Sequence, residues 1–240
     1  MMRKTKMDKK TDIKIEFAVQ ISSHQCVEKV HEALADVGKV HIDPKKGSVL
    51  VETALPWIEI QRRIEATGRR AVLSGFGGQS AVSIVNYGNN DSKICGVVRF
   101  CTLIDTGTVV DGIIDGLDAN KSYKLNVHEC GDMSKGCASV GEIYNCNDIQ
   151  SDENGRATIR FYKEELAVED LIGRSVVIAK ECNNDRLACG IIARSAGIFE
   201  NYKKICACDG VTLWDERDRP LAGNNRRTEE QKSVLEKTGR

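Results

Sequence analysis

Histidine is the scarcest chemistry-bearing residue in this chain. There are four in 240 residues, and beyond His41 only His128 remains. A metal centre built from several converging imidazoles cannot be assembled from the last two hundred positions. Excess charge is also missing: 35 basic and 35 acidic residues balance to zero, which argues against a general nucleic-acid binder. No apolar run approaches the roughly 20 residues that a membrane helix needs. The basic opening MMRKTKMDKKTD leads into alternating IKIEFAVQI, a strand pattern rather than the continuous apolar region of a secretory signal. The closing EKTGR is neither a retention nor a prenylation signal. The expectation is a cytoplasmic protein with no nucleic-acid partner and no membrane span.

Cysteine, by contrast, is plentiful. Ten cysteines in a reducing compartment point to metal ligands or redox groups rather than a stapling framework. Cys206 and Cys208, in Ile205-Cys206-Ala207-Cys208-Asp209, are separated by one residue. Deprotonated, they form a compact soft donor pair suited to Cu(I). A disulfide across so few residues would be strained and prone to exchange. The pair could carry copper, oxidising equivalents or both; the alternative is two incidental tail cysteines.

With 41% hydrophobic residues, the chain can fill one large core or two modest ones. Ile13, Ile15, Phe17, Val19 and Ile21 alternate as in a half-buried strand. Ser22 with Gln25 three residues later reads as a capping box. Val27, Val30, Leu34 and Val37 follow at helical spacing, and Gly38 ends the helix. Two strands flank the turn Asp43-Pro44-Lys45-Lys46-Gly47. Pro56 opens a second helix with Trp57, Ile60 and Ile64 on one face, and Ala71-Val72-Leu73 is a last strand. The order βαββαβ predicts a ferredoxin-like domain over residues 12–75. Residues 1–11 are expected to be disordered. His31 and His41 read as solvated surface groups.

This first domain resembles the heavy-metal-associated family, whose loop after the first strand carries Met-x-Cys-x-x-Cys. Here the loop is Ile21-Ser22-Ser23-His24-Gln25-Cys26. Cys26 stands for the second cysteine, while Ser23 and Ile21 replace the first cysteine and the methionine. A serine hydroxyl stays protonated near neutral pH and is a poor Cu(I) ligand, so the two-thiolate site is broken. Cys26, with His24 nearby, is left either as a weak copper site or as a cysteine with a structural or vestigial role. Its place in the first turn of a helix favours the thiolate.

Gly75-Phe76-Gly77-Gly78-Gln79-Ser80 reads as a flexible connector, with the linker at 76–80. Beyond it, short strands and regular turn signals predict a Greek-key barrel or sandwich over residues 81–200. Strands are expected at 81–87, 94–101, 108–114, 122–129, 156–162, 175–179 and 188–193. The segment 130–154 reads as a long loop without strands of its own. Cys95 and Cys101, an even number apart, share one strand face and read as small core residues.

Gly112-Ile113-Ile114-Asp115-Gly116-Leu117, Asn126-Val127-His128-Glu129-Cys130-Gly131-Asp132, Gly136-Cys137, Leu171-Ile172-Gly173-Arg174-Ser175 and Arg186-Leu187-Ala188-Cys189-Gly190 resemble the Cu,Zn superoxide dismutase family. The resemblance implies a disulfide between Cys137 and Cys189. It also implies that the dismutase metal sites are gone. Asn126 stands where the family has a histidine, Gly141-Glu142-Ile143 lacks a ligand, the zinc loop is largely deleted before Asp152, and the late strand ends Val177-Ile178-Ala179. Neither dismutase activity nor a bound zinc is expected.

Cys189-Gly190-Ile191-Ile192-Ala193-Arg194-Ser195-Ala196-Gly197, then the Cys-x-Cys and Trp214-Asp215-Glu216-Arg217-Asp218-Arg219-Pro220, resemble the end of the family of copper chaperones for superoxide dismutase. So does the three-part order of the whole chain. That resemblance implies docking on a Cu,Zn superoxide dismutase subunit as a heterodimer. The docking face would be the dismutase pairing face, with an apolar edge near Ile191-Ile192, and a homodimer is expected when free. A mobile tail, 201–240, would deliver Cu(I) from Cys206 and Cys208 and promote the target's disulfide, by thiol–disulfide exchange or through a sulfenylated intermediate. Trp214 would anchor the tail to a partner or to its own domain, and disorder is expected from Asn224. Two other readings stay open: a copper-independent thiol oxidoreductase, and a dismutase-binding protein that delivers nothing.

Overall fold

The structure, a computed structural model, describes residues 12–88, 93–103, 107–181, 185–201 and 212–218. Cys182, Cys206 and Cys208 lie outside the described residues, as do the termini expected to be disordered, 1–11 and 224–240.

The first unit runs β1 (Ile13–Val19), α1 (His24–Ala33), β2 (Lys39–Asp43), β3 (Ser48–Thr53), α2 (Trp57–Ala66) and β4 (Ala71–Phe76). Its sheet has the order β2-β3-β1-β4, all antiparallel. This is the ferredoxin-like arrangement that the alternating apolar periods predict. Ile13, Ile15, Phe17 and Val19 all face the helices and are buried, as are Val30, Leu34, Trp57, Ile60 and Ile64. Each such side chain contributes about 1.5–3 kcal/mol of burial. Gly38 is at φ 140°, and a Cβ there would lie 2.1 Å from Glu52 O, so only glycine lets the chain turn between α1 and β2. The helix start differs from expectation by one residue. Ser23, not Ser22, is the N-cap of α1, accepting from Cys26 N, and Cys26 rather than Val27 takes the buried position of the first turn.

The second unit is β5 (Ser80–Val85), β6 (Tyr87–Gly88), β7 (Cys95–Thr102), β8 (Thr108–Asp115), β9 (Ser122–His128), β10 (Ser134–Cys137), β11 (Ile143–Gln150), β12 (Ala157–Lys163), α3 (Val168–Leu171), β13 (Ser175–Lys180) and β14 (Arg186–Arg194). A short helix, α4 (Leu213–Arg217), follows. The strands form an antiparallel path β11-β9-β13-β14-β5-β7-β8-β12. The end strands β11 and β12 approach each other, so the barrel is nearly closed. Its interior holds Val98, Phe100, Val110, Ile114, Leu125, Val127, Ile159, Leu171, Val176 and Ile178. The segment read as a long strandless loop is not one: it contains β10 and β11. Ile143 and Ile149 have asparagine at the two alternate positions between them, so no apolar alternation marks a strand, but the free edge of β9 supplies hydrogen-bond partners along β11.

The connector is shorter and tighter than its glycines suggest. Gly75 and Phe76 belong to β4 and Ser80 to β5, Phe76 is buried, and Gly77 N donates to Lys14 O at 2.7 Å. The first unit lies on the outer face of β7 and β8. Cys101, Val109 and Ile113 join the core of the ferredoxin-like unit instead of the barrel core. Cys95 and Cys101 do share a face, but it is this outward one. Cys101 is buried in the seam and burial pushes its thiol up to about 12, whereas Cys95 at the strand's start is only half-buried. In the seam, Asp111 Oδ2 accepts from Trp57 N, at the start of α2, and from Arg160 Nη1 at 2.7 Å. The Arg99 guanidinium stands 4.8 Å above the Trp57 ring.

Candidate functional site

Cys26 sits where β1 hands over to α1. Its sulfur is 3.1 Å from Ser23 Oγ and 3.6 Å from Ser22 Oγ. Ser23 therefore both caps the helix and bonds the thiol. The Ser23 hydroxyl is the main cause, with the Ser22 backbone and hydroxyl next, of a Cys26 thiol lowered to about 6. Two hydroxyls thus stand against the Cys26 sulfur and favour its thiolate form. His24 is not brought to it: Nδ1 pairs with Glu28 Oε1 at 3.3 Å, and both side chains are exposed.

On the barrel, Tyr123, Leu125 and Val127 of β9 point inward, which turns Asn126 and His128 to the outer face beneath residues 130–142. Both are buried, at 1% exposure. His128 Nδ1 lies 3.0 Å from Gly141 O, which fixes the proton on Nδ1, and burial holds the ring below its usual value and so neutral. Among the described residues its Nε2 and Asn126 Oδ1 have no hydrogen-bond partner. Asn126 faces Cys146 on β11 and Val177 on β13. One imidazole lone pair and an amide oxygen are a poor donor set for a soft ion, which takes thiolates or several imidazoles. Among the described residues no group of three or more His, Cys, Asp or Glu side chains converges.

Next to this face lies the Cys137–Cys189 disulfide, 52 residues apart in sequence. Cys189 is fully buried against Met133, Val140 and Val177. Arg186 fastens the loop above it, donating to Cys137 O and Gly141 O, each at 2.9 Å. Arg186 stood in the sequence motif without a role. Its contacts lie 45 to 49 residues away, beyond any local pattern.

At the end of β14, alternation separates the two isoleucines expected at one apolar edge. Ile191 is 47% exposed and Ile192 is 1% exposed inside the barrel. Ile172 is exposed to a similar degree, at 45%, and Ile84 and Ile143 are exposed at 43% each. Gly131 packs between Ile191 and Gly173, the residue after Ile172: a Cβ there would meet Gly173 O at 2.5 Å and Ile191 Cγ2 at 3.2 Å. Cys130, adjacent, is a free exposed thiol. Trp214 is half-buried on α4, which packs against β4 of the chain's own first unit.

Residues 16–70 match the heavy-metal-associated domain family. The chain is 38% identical to the "Copper chaperone for superoxide dismutase" of Rattus norvegicus, over 89% of this chain and 92% of that protein. It is 39% identical to the protein of that name from Mus musculus over the same shares. With the "Superoxide dismutase 1 copper chaperone" of Saccharomyces cerevisiae the identity is 29%, over 87% of this chain and 95% of the relative.

Proposed function

Because the chain belongs to the family of copper chaperones for superoxide dismutase, we propose that it carries Cu(I) to a copper-free Cu,Zn superoxide dismutase and helps to close that target's intrasubunit disulfide. The observation that carries this reading is a barrel that keeps its disulfide while its ligand face is reduced to His128 beside Asn126. Such a barrel has the shape to pair with a dismutase subunit and lacks the donors to act as one. The docking face is the patch of Ile172, Ile191, Gly131 and Cys130. Two exposed isoleucines packed around glycine backbone favour a flat, apolar partner surface. The same patch pairs two copies when no dismutase is present. The protein works in the cytoplasm.

The metal is cargo. With Ser23 in place of a thiolate, Cys26 offers one sulfur only, so the transferable copper rests on Cys206 and Cys208. Two neighbouring thiolates release a soft ion by stepwise exchange, each incoming target ligand displacing one sulfur. For the disulfide, the oxidant is a Cys206–Cys208 disulfide, a state of the pair distinct from the copper-loaded dithiolate. It forms after copper has left, when a peroxide oxidises one tail thiolate to the sulfenic acid and the other displaces water from it. A target thiolate attacks one tail sulfur, a mixed disulfide forms, and the other tail sulfur leaves as thiolate. The second target thiolate then attacks the target's own sulfur in that mixed disulfide. The target's disulfide closes, the tail takes up two electrons, and its thiolates take up the two protons that the target thiols gave to solvent.

The test is to mix the Cu(I)-loaded chain with reduced, zinc-loaded, copper-free dismutase and follow superoxide dismutation. The Cys206→Ser/Cys208→Ser variant is measured beside it. Activation by the parent alone supports the reading. Equal activation by both moves the chemistry to Cys26 or the barrel. Activation by neither leaves a protein that pairs with the dismutase without delivering.

A further inference from the structure

After β14 the chain does not leave the molecule; it turns back along β4. Gly197 forms a parallel bridge with Phe76, and Ile198 N donates to Phe76 O at 3.1 Å. Gly75 makes the approach possible, since a Cβ there would lie 2.2 Å from Gly197 O. The buried carboxylate of Glu16 accepts from Phe199 N at 2.7 Å as well as from Ser48 Oγ at 2.8 Å. Asn201 exchanges two hydrogen bonds with Ser74. The segment has thus moved from the end of β4 toward its start.

The next described residues continue on the same edge. Thr212 caps α4, its Oγ1 accepting from Asp215 N at 3.1 Å. Arg217 then places Nε and Nη2 at 2.9 and 2.7 Å from Glu65 Oε1, at the C-terminal end of α2. Asp218 pairs with Arg70, just before β4, at 3.4 Å. Arg217 and Glu65 are both mostly covered, with 29% and 21% of their side chains exposed, so solvent screens that pair less than a fully exposed one. Both anchors are on the first unit, one on each side of the Cys-x-Cys. Cys206 is five residues past Asn201 and Cys208 four before Thr212.

We infer that the α2–β4 edge of the first unit is a cradle for the chain's own C-terminal helix, and that the Glu65–Arg217 and Arg70–Asp218 pairs are a clasp that keeps the tail from its target until docking opens it. The gating half rests on the proposed delivery by Cys206 and Cys208; the clasp itself does not. A tail anchored at both Asn201 and α4 has a shorter reach than one released at α4 and tethered only at Asn201. Charge pairs at the release point make the closed state dependent on salt and replaceable by a partner's charges.

The experiment uses the full chain with Arg217→Glu, Glu65→Arg, and the two together. The Trp214 indole N–H resonance, referenced to a synthetic peptide of residues 202–218, reads the open fraction. Copper transfer to reduced, zinc-loaded, copper-free dismutase reads the gate. Each single reversal should raise the open/closed ratio about two- to fivefold, the amount such an ion pair supplies, and the double swap should restore it. Transfer should be faster in the singles and return to the parent rate in the swap. An unmoved Trp214 resonance, or a swap that fails to restore it, overturns the clasp. Opening without faster transfer overturns the gate. If no chain, the parent included, transfers copper, the delivery reading fails and the gate with it, while the resonance still decides the clasp.

Discussion

Asp111 is the residue whose loss the architecture predicts most sharply. It projects outward from β8 into the seam, with only 2% of its side chain exposed, and Arg160 opposite is 12% exposed. Asp111→Ala removes one partner of a buried pair, which costs about 3–5 kcal/mol where the remaining charge stays buried. Arg160 keeps a hydrogen bond to Thr53 O at 3.3 Å and some access to water, so the lower end of that range applies. The amide at the start of α2 also loses its acceptor, a loss of about 1 kcal/mol as at other helix N-termini. The two overlap, since both depend on one carboxylate, giving about 3–4 kcal/mol in all and a midpoint lower by roughly 10 °C for a chain of this size. Calorimetry beside Trp57 fluorescence is the assay. The parent should melt in one transition, because Cys101, Val109 and Ile113 tie the barrel into the core of the first unit; Asp111→Ala should separate two. Asp111→Asn should lose less, since its amide oxygen still accepts from Trp57 N. A loss under about 1 kcal/mol for Asp111→Ala, with the single transition intact, would refute a seam held by this carboxylate.

Far-ultraviolet thiolate absorbance should place the Cys26 titration at about 6, and Ser23→Ala should move it upward. Its contribution to stability is then present above the unfolded thiol's value and lost as pH falls through about 6. Opening the Cys137–Cys189 disulfide by Cys137→Ser should destabilise the barrel by about 4 kcal/mol, from the entropy of a loop of this length, read as a lower denaturant midpoint with a steeper slope, because the uncross-linked unfolded chain exposes more surface. Ile191→Glu should abolish pairing with a dismutase subunit and between copies, while Ile192→Glu should instead prevent folding. Light scattering and circular dichroism separate the two; equal effects from both would remove the docking patch.

The first unit's elements were readable from the chain because their signals are local. A period of two in Ile13–Val19 and a helical stripe through Trp57, Ile60 and Ile64 declare which face is buried wherever the element lies. The departure of the first loop from Met-x-Cys-x-x-Cys was equally visible, since Ser23 for cysteine is a matter of residue type. What the hydroxyl does there was not: it caps α1 and bonds the Cys26 sulfur, a geometry that the loop's exact start determines. The strand at Ile143–Gln150 escaped notice because its support is the open edge of β9, not its own pattern.

By itself, the order of residues determined the two folding units, the cysteines available for metal or exchange, and the lack of histidines for a dismutase centre. These depend on composition and on spacing within about ten positions. Only the tertiary structure decided which sheet face meets which neighbour. It turned Cys101 toward the first unit, put Ile191 outside and Ile192 inside, and joined Asp111 to Arg160 and Glu65 to Arg217, pairs 49 and 152 residues apart. Such contacts follow from strand register and from how two finished units press together, and no local period encodes either.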